Sequence, residues 1–202
     1  MRATKLAIVG CLFMAVSALA NETPKDVFAE KERAIAAILQ DRNLNDKARR
    51  EKLIVEMRGS FDYQELARRS LGTNWEQLDA KQRSEFTLVL KELIEHSVLA
   101  KVKPVVDFSA EVVSELIKGT QATIASAVST GSTTEPVRVE FQLTNSRDRG
   151  WVVYDMVIDD VSLLTSYRQQ FSKIIRAESF ESLMGKMNAR LQKTRQQLAA
   201  AM

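Results

Sequence analysis

The chain has 202 residues, 45% of them hydrophobic, with 29 Lys and Arg against 26 Asp and Glu and a pI near 9.0. That length suits one domain with a sizeable core, and a formal charge of +3 is too small an excess to mark a nucleic-acid surface. A single histidine and a single cysteine exclude a multi-histidine metal site and an internal disulfide framework.

The N-terminus reads as an address. Arg2 and Lys5 precede an apolar run over 6–20, and Ala18-Leu19-Ala20 forms a small-x-small cleavage pattern before Asn21. The run falls short of the about 20 apolar residues a spanning helix needs. Residues 1–20 are therefore expected to be a removed signal peptide, and 21–202 a single domain with a mainly helical part over 21–105 and a sheet with C-terminal helices over 106–202. Ile8-Val9-Gly10-Cys11 faintly resembles a lipoprotein box, but the apolar run continues past it to Ala20. Loss of Arg2 and Lys5 leaves 27 basic residues against 26 acidic, and loss of Cys11 leaves no thiol.

Helical signals come first. Thr23-Pro24 supplies an N-cap and first helical position, followed by the stripe Val27, Phe28, Ile35, Ile38 and Leu39. After a turn over 43–46, a second helix carries Leu53, Ile54 and Met57 inward and Lys47, Arg49, Arg50 and Lys52 outward. That basic face is either solvated or a docking surface for a membrane or acidic partner. A short third helix follows Phe61-Asp62 and stops at Gly72. Thr73-Asn74-Trp75-Glu76 has the form of a capping box. It predicts the longest helix of the chain, about 40 Å at 1.5 Å per residue, with Trp75, Leu78, Phe86, Val89, Leu90, Leu93, Ile94 and Val98 in a stripe that ends by Pro104.

Beyond Pro104 the rhythm becomes period two, predicting strands over 111–118, 121–129, 137–144 and from Gly150 to Ile158. Val137, Val139, Phe141 and Leu143 alternate cleanly with Arg138, Glu140, Gln142 and Thr144. In the last strand Val152, Tyr154, Met156 and Ile158 fall on one face, and Trp151, Val153 and Val157 on the other. A strand apolar on both sides is covered on both sides. The second strand is built from small residues, Ala122, Thr123, Ala125, Ser126 and Ala127, which serve either close packing or room for a ligand. After Asp159-Asp160 a helical stripe begins, with Leu163, Leu164, Tyr167, Phe171, Ile174 and Ile175. Ser179 starts a final helix carrying Phe180, Leu183, Met184, Met187 and Leu191, with a basic tail. The residues thus predict an α+β fold: a four-stranded antiparallel curved sheet packed with a helical N-terminal part and C-terminal helices.

No G-x-S-x-G elbow, H-E-x-x-H, C-x-x-C or glycine-rich phosphate loop occurs. Asp155, Asp159 and Asp160 do not fit a calcium loop; Asp155 is expected to bond backbone or an arginine. Nothing in the sequence positions Ser162, His96 and Asp159 as a triad. No catalytic residue, metal or cofactor is expected.

Trp151 to Phe171 reads W-V-V-Y-D-M-V-I-D-D-V-S-L-L-T-S-Y-R-Q-Q-F. This resembles the signature W-x-V-Y-D-(hydrophobic)-x-I-(E/D)-(G/D)-V-S-L-(hydrophobic)-x-x-(Y/F)-R-x-x-F of the MlaC family, the periplasmic phospholipid-binding or toluene-tolerance proteins. A second match joins Phe61-Asp62-Tyr63 to Leu71-Gly72-Thr73-Asn74-Trp75, with Leu78, Gln82 and Phe86. Asp160 departs from the pattern where many relatives carry glycine. The resemblance implies a cystatin/NTF2-like sheet and a periplasmic phospholipid shuttle, with bound phospholipid as cargo, in an Mla-type system maintaining outer-membrane lipid asymmetry. Its implied partners are an outer-membrane lipoprotein–porin complex and an inner-membrane ABC transporter complex. A monomer that binds no nucleic acid is expected.

The physical need for such a carrier is plain. A diacyl lipid has roughly thirty methylenes, and at about 0.8 kcal/mol each, exposing them to water costs on the order of 24 kcal/mol. A dry pocket must enclose the tails. By pattern, Val139, Phe141, Leu143, Tyr154, Met156 and Ile158 would line it from the sheet. Phe86, Leu90, Leu93, Leu163, Tyr167 and Phe171 would line it from the helices, with Arg168 near a phosphate or an internal carboxylate. Ordinary core packing is the competing explanation for each apolar residue. The alternative functions are a carrier of a polyprenoid or sterol-like lipid, as in hopanoid-linked relatives, a small hydrolase, or a ligand-free periplasmic adaptor.

Overall fold

In a computed structural model of the protein, residues 22–99, 108–129 and 135–200 are described. The expected signal peptide with Cys11 and Asn21, the helix stop at Pro104, the Val98 side chain and most of the 131–136 turn lie outside them.

Local capping starts each of the first helices. In α1 (Pro24–Gln40) the Thr23 hydroxyl accepts from the Asp26 amide at 3.1 Å, and the Asp26 carboxylate accepts from the Thr23 amide at 3.1 Å. In α2 (Asp46–Ser60) the Asn45 side chain accepts from the Ala48 amide at 2.8 Å. In α3 (Tyr63–Leu71) Asp62 does the same for Glu65 at 2.9 Å. Gly72 ends α3 at φ +57, ψ −127, a conformation that L side chains avoid.

The next helix departs from expectation. Gly72–Gln77 is a 3-10 helix, and α4 (Ala80–Leu99) begins after a different capping box. Asp79 accepts from the Gln82 amide at 2.8 Å, and Gln82 accepts from the Asp79 amide at 3.0 Å. Tertiary contacts decide between the two boxes. Trp75 is buried, Arg83 Nε donates to its carbonyl at 3.0 Å, and the guanidinium lies 5.4 Å from the ring centroid. These contacts hold the tight turn against the start of α4. With 20 residues, α4 is about 30 Å long. Among the described residues α6 is longer, at 21.

The four expected strands form, as β1 (Ser109–Lys118), β2 (Gln121–Ser129), β3 (Val137–Ser146) and β4 (Gly150–Ile158), and a two-residue β5 (Val161–Ser162) extends them. They pair antiparallel in the order β1-β2-β3-β4-β5. The sheet is curved and does not close. Register shifts at Val112/Ser114 and Gln142/Leu143 mark bulges that bend the strands. Between β4 and β5, Asp159 and Asp160 sit at φ +49 and +62, the left-handed geometry that a two-residue hairpin turn demands.

The second bulge corrects the expected faces of β4. Leu143 pairs with Val153 and Phe141 with Met156, so Tyr154 is the extra residue. Trp151 and Val153 therefore share a face with Met156, while Val152 lies opposite. That inner face also carries Ala122, Ile124, Phe141 and Leu143, in register across β2 and β3. On the outer face of β3, Arg138 pairs with Glu140 at 2.7 Å, and the Thr123 hydroxyl donates to Gln142 at 2.9 Å.

Helices α5 (Leu163–Ala177) and α6 (Phe180–Ala200) complete the chain. One large apolar cluster joins the inner face to α3, α4, α5 and α6, with Phe28 of α1 against Phe141 at 5.0 Å between ring centroids. A second, small cluster is built on Leu39, Leu53 and Leu99, with Ile54, Phe108 and Leu198 packed against it. No helix among the described residues is long and apolar enough to cross a membrane.

Candidate functional site

Polar contacts at both ends of β4 position the apolar interior. Asp155 is buried, and its Oδ1 accepts from the amides of Met156 and Leu164, each at 2.8 Å. Its Oδ2 accepts from the Ser162 hydroxyl at 2.7 Å, and Ser162 Oγ in turn accepts from the Thr165 amide at 2.9 Å. The carboxylate thus sits at the N-terminal end of α5, where free amides and the helix dipole favour an anion. It locks the angle at which α5 leaves the sheet. Of the two partners expected for Asp155, backbone is the one it takes.

At the other end of β4, the Phe61 segment pairs with Val153, and the Asp62 amide donates to the Val153 carbonyl at 2.8 Å. Arg149 Nη2 caps the end of α2, donating to the carbonyls of Arg58, Gly59 and Phe61 at 3.0–3.2 Å. Nearby, Arg58 grips the buried Glu95 with two parallel bonds of 3.0 and 2.9 Å, tying α2 to α4. Burial, then the charge of Glu95, pushes the Tyr63 hydroxyl above its ordinary range. On α3, Glu65 binds both Arg68 and Arg69; hydrogen bonds from Arg68 above all hold its carboxyl down at about 2.

The expected lining residues separate into four places. Phe86, Leu90, Leu93, Leu143 and Phe171 are buried in the large cluster, with Phe141, Met156, Leu163 and Tyr167 packed against it. Phe86 meets Phe171 edge-on at 5.5 Å, and Tyr167 stacks on Phe171 at 5.2 Å. Val139 and Ile158 pair with each other at the far end of the inner face, where Val139 is buried and Ile158 is 43% exposed. Tyr154, displaced by the bulge, lies under the Arg69 guanidinium at 4.0 Å. Arg168 is exposed and packs against Gly72, where an added Cβ would come within 3.1 Å of its Nη2.

Leu93, Tyr167 and Phe171 also line a cavity of about 100 Å³ between α4, α5 and α6. The rest of its apolar wall is Ile174, Leu183 and Met187, and the exposed Lys186 and Arg190 contribute cations. Burial raises the Tyr167 hydroxyl pKa, and Arg190 partly offsets the rise. Leu183 and Met187 of α6 stand in a helical stripe visible in the sequence, and the fold turns that stripe into a wall of the cavity. Spacing shows that a face is apolar without showing which helix it meets.

His96 Nδ1 bonds the Glu92 carbonyl at 2.7 Å. Ser162 is engaged as the cap of α5 and the partner of Asp155.

This arrangement of helices over an open curved sheet matches a solved structure. It is similar to a phospholipid-binding protein from Ralstonia solanacearum, solved in complex with a phospholipid, with a TM-score of 0.71, 18% identity, and coverage of 83% of this chain and 96% of that one. The two proteins share their fold. The profile of the family described as MlaC protein matches residues 30–189, and the chain belongs to that family. No curated protein sequence matches significantly.

Proposed function

We propose that the protein is a periplasmic carrier that encloses the acyl chains of a phospholipid between its sheet and its helices. It would exchange that cargo with the outer-membrane lipoprotein–porin and inner-membrane ABC transporter complexes of an Mla-type system. Membership of the MlaC family over 30–189 is the observation that carries this proposal. The phospholipid held by the Ralstonia protein of the same fold supports it. So does the continuity of the aromatic and aliphatic interior from Phe141 to Phe171. The chain's own part would be to keep water from the tails. Direction would follow from the partners' relative affinities.

The cavity between α4, α5 and α6 is far below the about 300–1,000 Å³ of a small-molecule pocket. Loading would therefore require α5 to move away from α4 and α6. The same tightness favours a second reading, a periplasmic adaptor with a solid core.

Native mass spectrometry of the purified protein, followed by organic extraction, separates the two. A retained mass matching phosphatidylethanolamine or phosphatidylglycerol is expected. A retained polyprenoid or sterol-like lipid would redirect the cargo assignment. A clean ligand-free mass, with no uptake from liposomes, would leave the adaptor.

A further inference from the structure

A second pocket lies between α2, α4 and α6, with a volume of about 310 Å³. Its apolar wall is Ile54, Leu99 and Leu198, the exposed side of the small cluster. Around that wall stand three cations, Lys47, Arg50 and Arg195, with His96 from α4. Glu51 is the one acid that lines it.

The electrostatics there are unbalanced. Arg195 is paired with Glu92 at 2.6 Å. Lys47 and Arg50 have no carboxylate within salt-bridge distance among the described residues. Moreover, Arg50 Nη1 is buried without a hydrogen-bond partner among the described residues. A guanidinium nitrogen held out of water with nothing to bond is an unfavourable arrangement for the empty protein. It becomes favourable when an anion accepts from it.

We propose that this pocket is a second binding site for a single-chain amphiphile with an anionic head. The chain would lie on Ile54, Leu99 and Leu198, and the head would accept hydrogen bonds from Arg50 and Lys47. The apolar wall argues against a bare inorganic anion. The volume, at the lower edge of the about 300–1,000 Å³ typical of ligand pockets, suits one chain rather than two. The site is distinct from the proposed phospholipid interior, since none of the expected lining residues borders it. Arg195 and Leu198 also lie beyond residue 189, where the family match ends. The site does not depend on the phospholipid-carrier proposal.

The test is titration calorimetry of the purified full chain with dodecyl phosphate below its micelle concentration, with inorganic phosphate and uncharged dodecyl maltoside as comparisons. Dodecyl phosphate is expected to bind one to one, and more tightly than either comparison. Arg50→Gln and Leu198→Gln should each weaken it by about tenfold or more, the loss of one charge-assisted bond or of the apolar seat. Both variants should keep the wild-type circular dichroism spectrum and match the wild type, with or without a retained lipid, in native mass spectrometry. Unchanged affinity in Arg50→Gln overturns the site. So does equal binding of inorganic phosphate, or stoichiometric displacement of a retained phospholipid by dodecyl phosphate. If Leu198→Gln loses its fold, Arg50→Gln decides alone.

Discussion

The large and small apolar clusters are closed in opposite ways. Around the large one, buried and half-buried charges are answered inside the protein. Glu95 has the Arg58 fork, Asp155 has three donors, and Glu65 has two arginines. Around the small one, Lys47 and Arg50 stand against Ile54, Leu99 and Leu198 with no carboxylate of their own among the described residues. Satisfied charges rigidify a region, whereas an unsatisfied one next to apolar surface marks where something from outside completes the structure. The first region is built to keep water out, and the second to receive an anion.

The sharpest way to break this comparison is at Arg58. Removing it leaves the buried Glu95 short of its partner, so Arg58→Ala should lower stability by about 2–3 kcal/mol in urea denaturation, less than for a pair buried on both sides because Arg58 itself is half-exposed. A loss below about 1 kcal/mol would mean that the pair is not needed to close the large cluster. An intermediate effect is expected at Glu65. Its carboxyl, held down to about 2 from an ordinary 4.5, contributes stability that is present above pH 4.5 and is lost as pH falls toward 2. Because the side chain is partly exposed, Glu65→Gln should cost about 1 kcal/mol at pH 7 and no more. Its stability should also respond less than the wild type's to acidification between pH 4.5 and 2, read from thermal melts across that range. The smallest effect belongs to the other cluster. Arg50→Gln should change stability by within about 0.5 kcal/mol, since it removes a group the fold leaves unanswered. A loss as large as that of Arg58→Ala would erase the distinction between the two regions.

Much of the fold was legible because it is local. Thr23 with Asp26, Asn45 with Ala48, and Asp62 with Glu65 each close a bond across three residues. Such bonds are written in adjacent letters of the chain. The alternation of Val139, Phe141 and Leu143 with Glu140 and Gln142 is equally local, and β3 carries it out. Asp159-Asp160 marked the end of β4, and both residues take the left-handed conformations of the turn. The bulge at Tyr154 was not legible. Both faces of β4 are apolar, so a one-residue slip leaves no polar residue misplaced, and hydropathy cannot register it. The true start of α4 was hidden for a related reason. Two capping boxes stood six residues apart, and Arg83 reaching back to Trp75 chose between them.

By itself, the sequence determined the class of the fold, the starts of the first three helices, the apolar face of β3 and the family. Those rest on hydrogen bonds and periodicities spanning a few residues, and on a motif continuous from Trp151 to Phe171. Only the tertiary structure decided which apolar stripes meet. It brought Leu183 and Met187 of α6 to Leu93 of α4, and Leu198 and Arg195 to Ile54 and Arg50 of α2. A stripe states that a face will leave water. Its partner is selected by the packing of the whole chain, which pairs Arg195 with Glu92 across 103 positions of sequence.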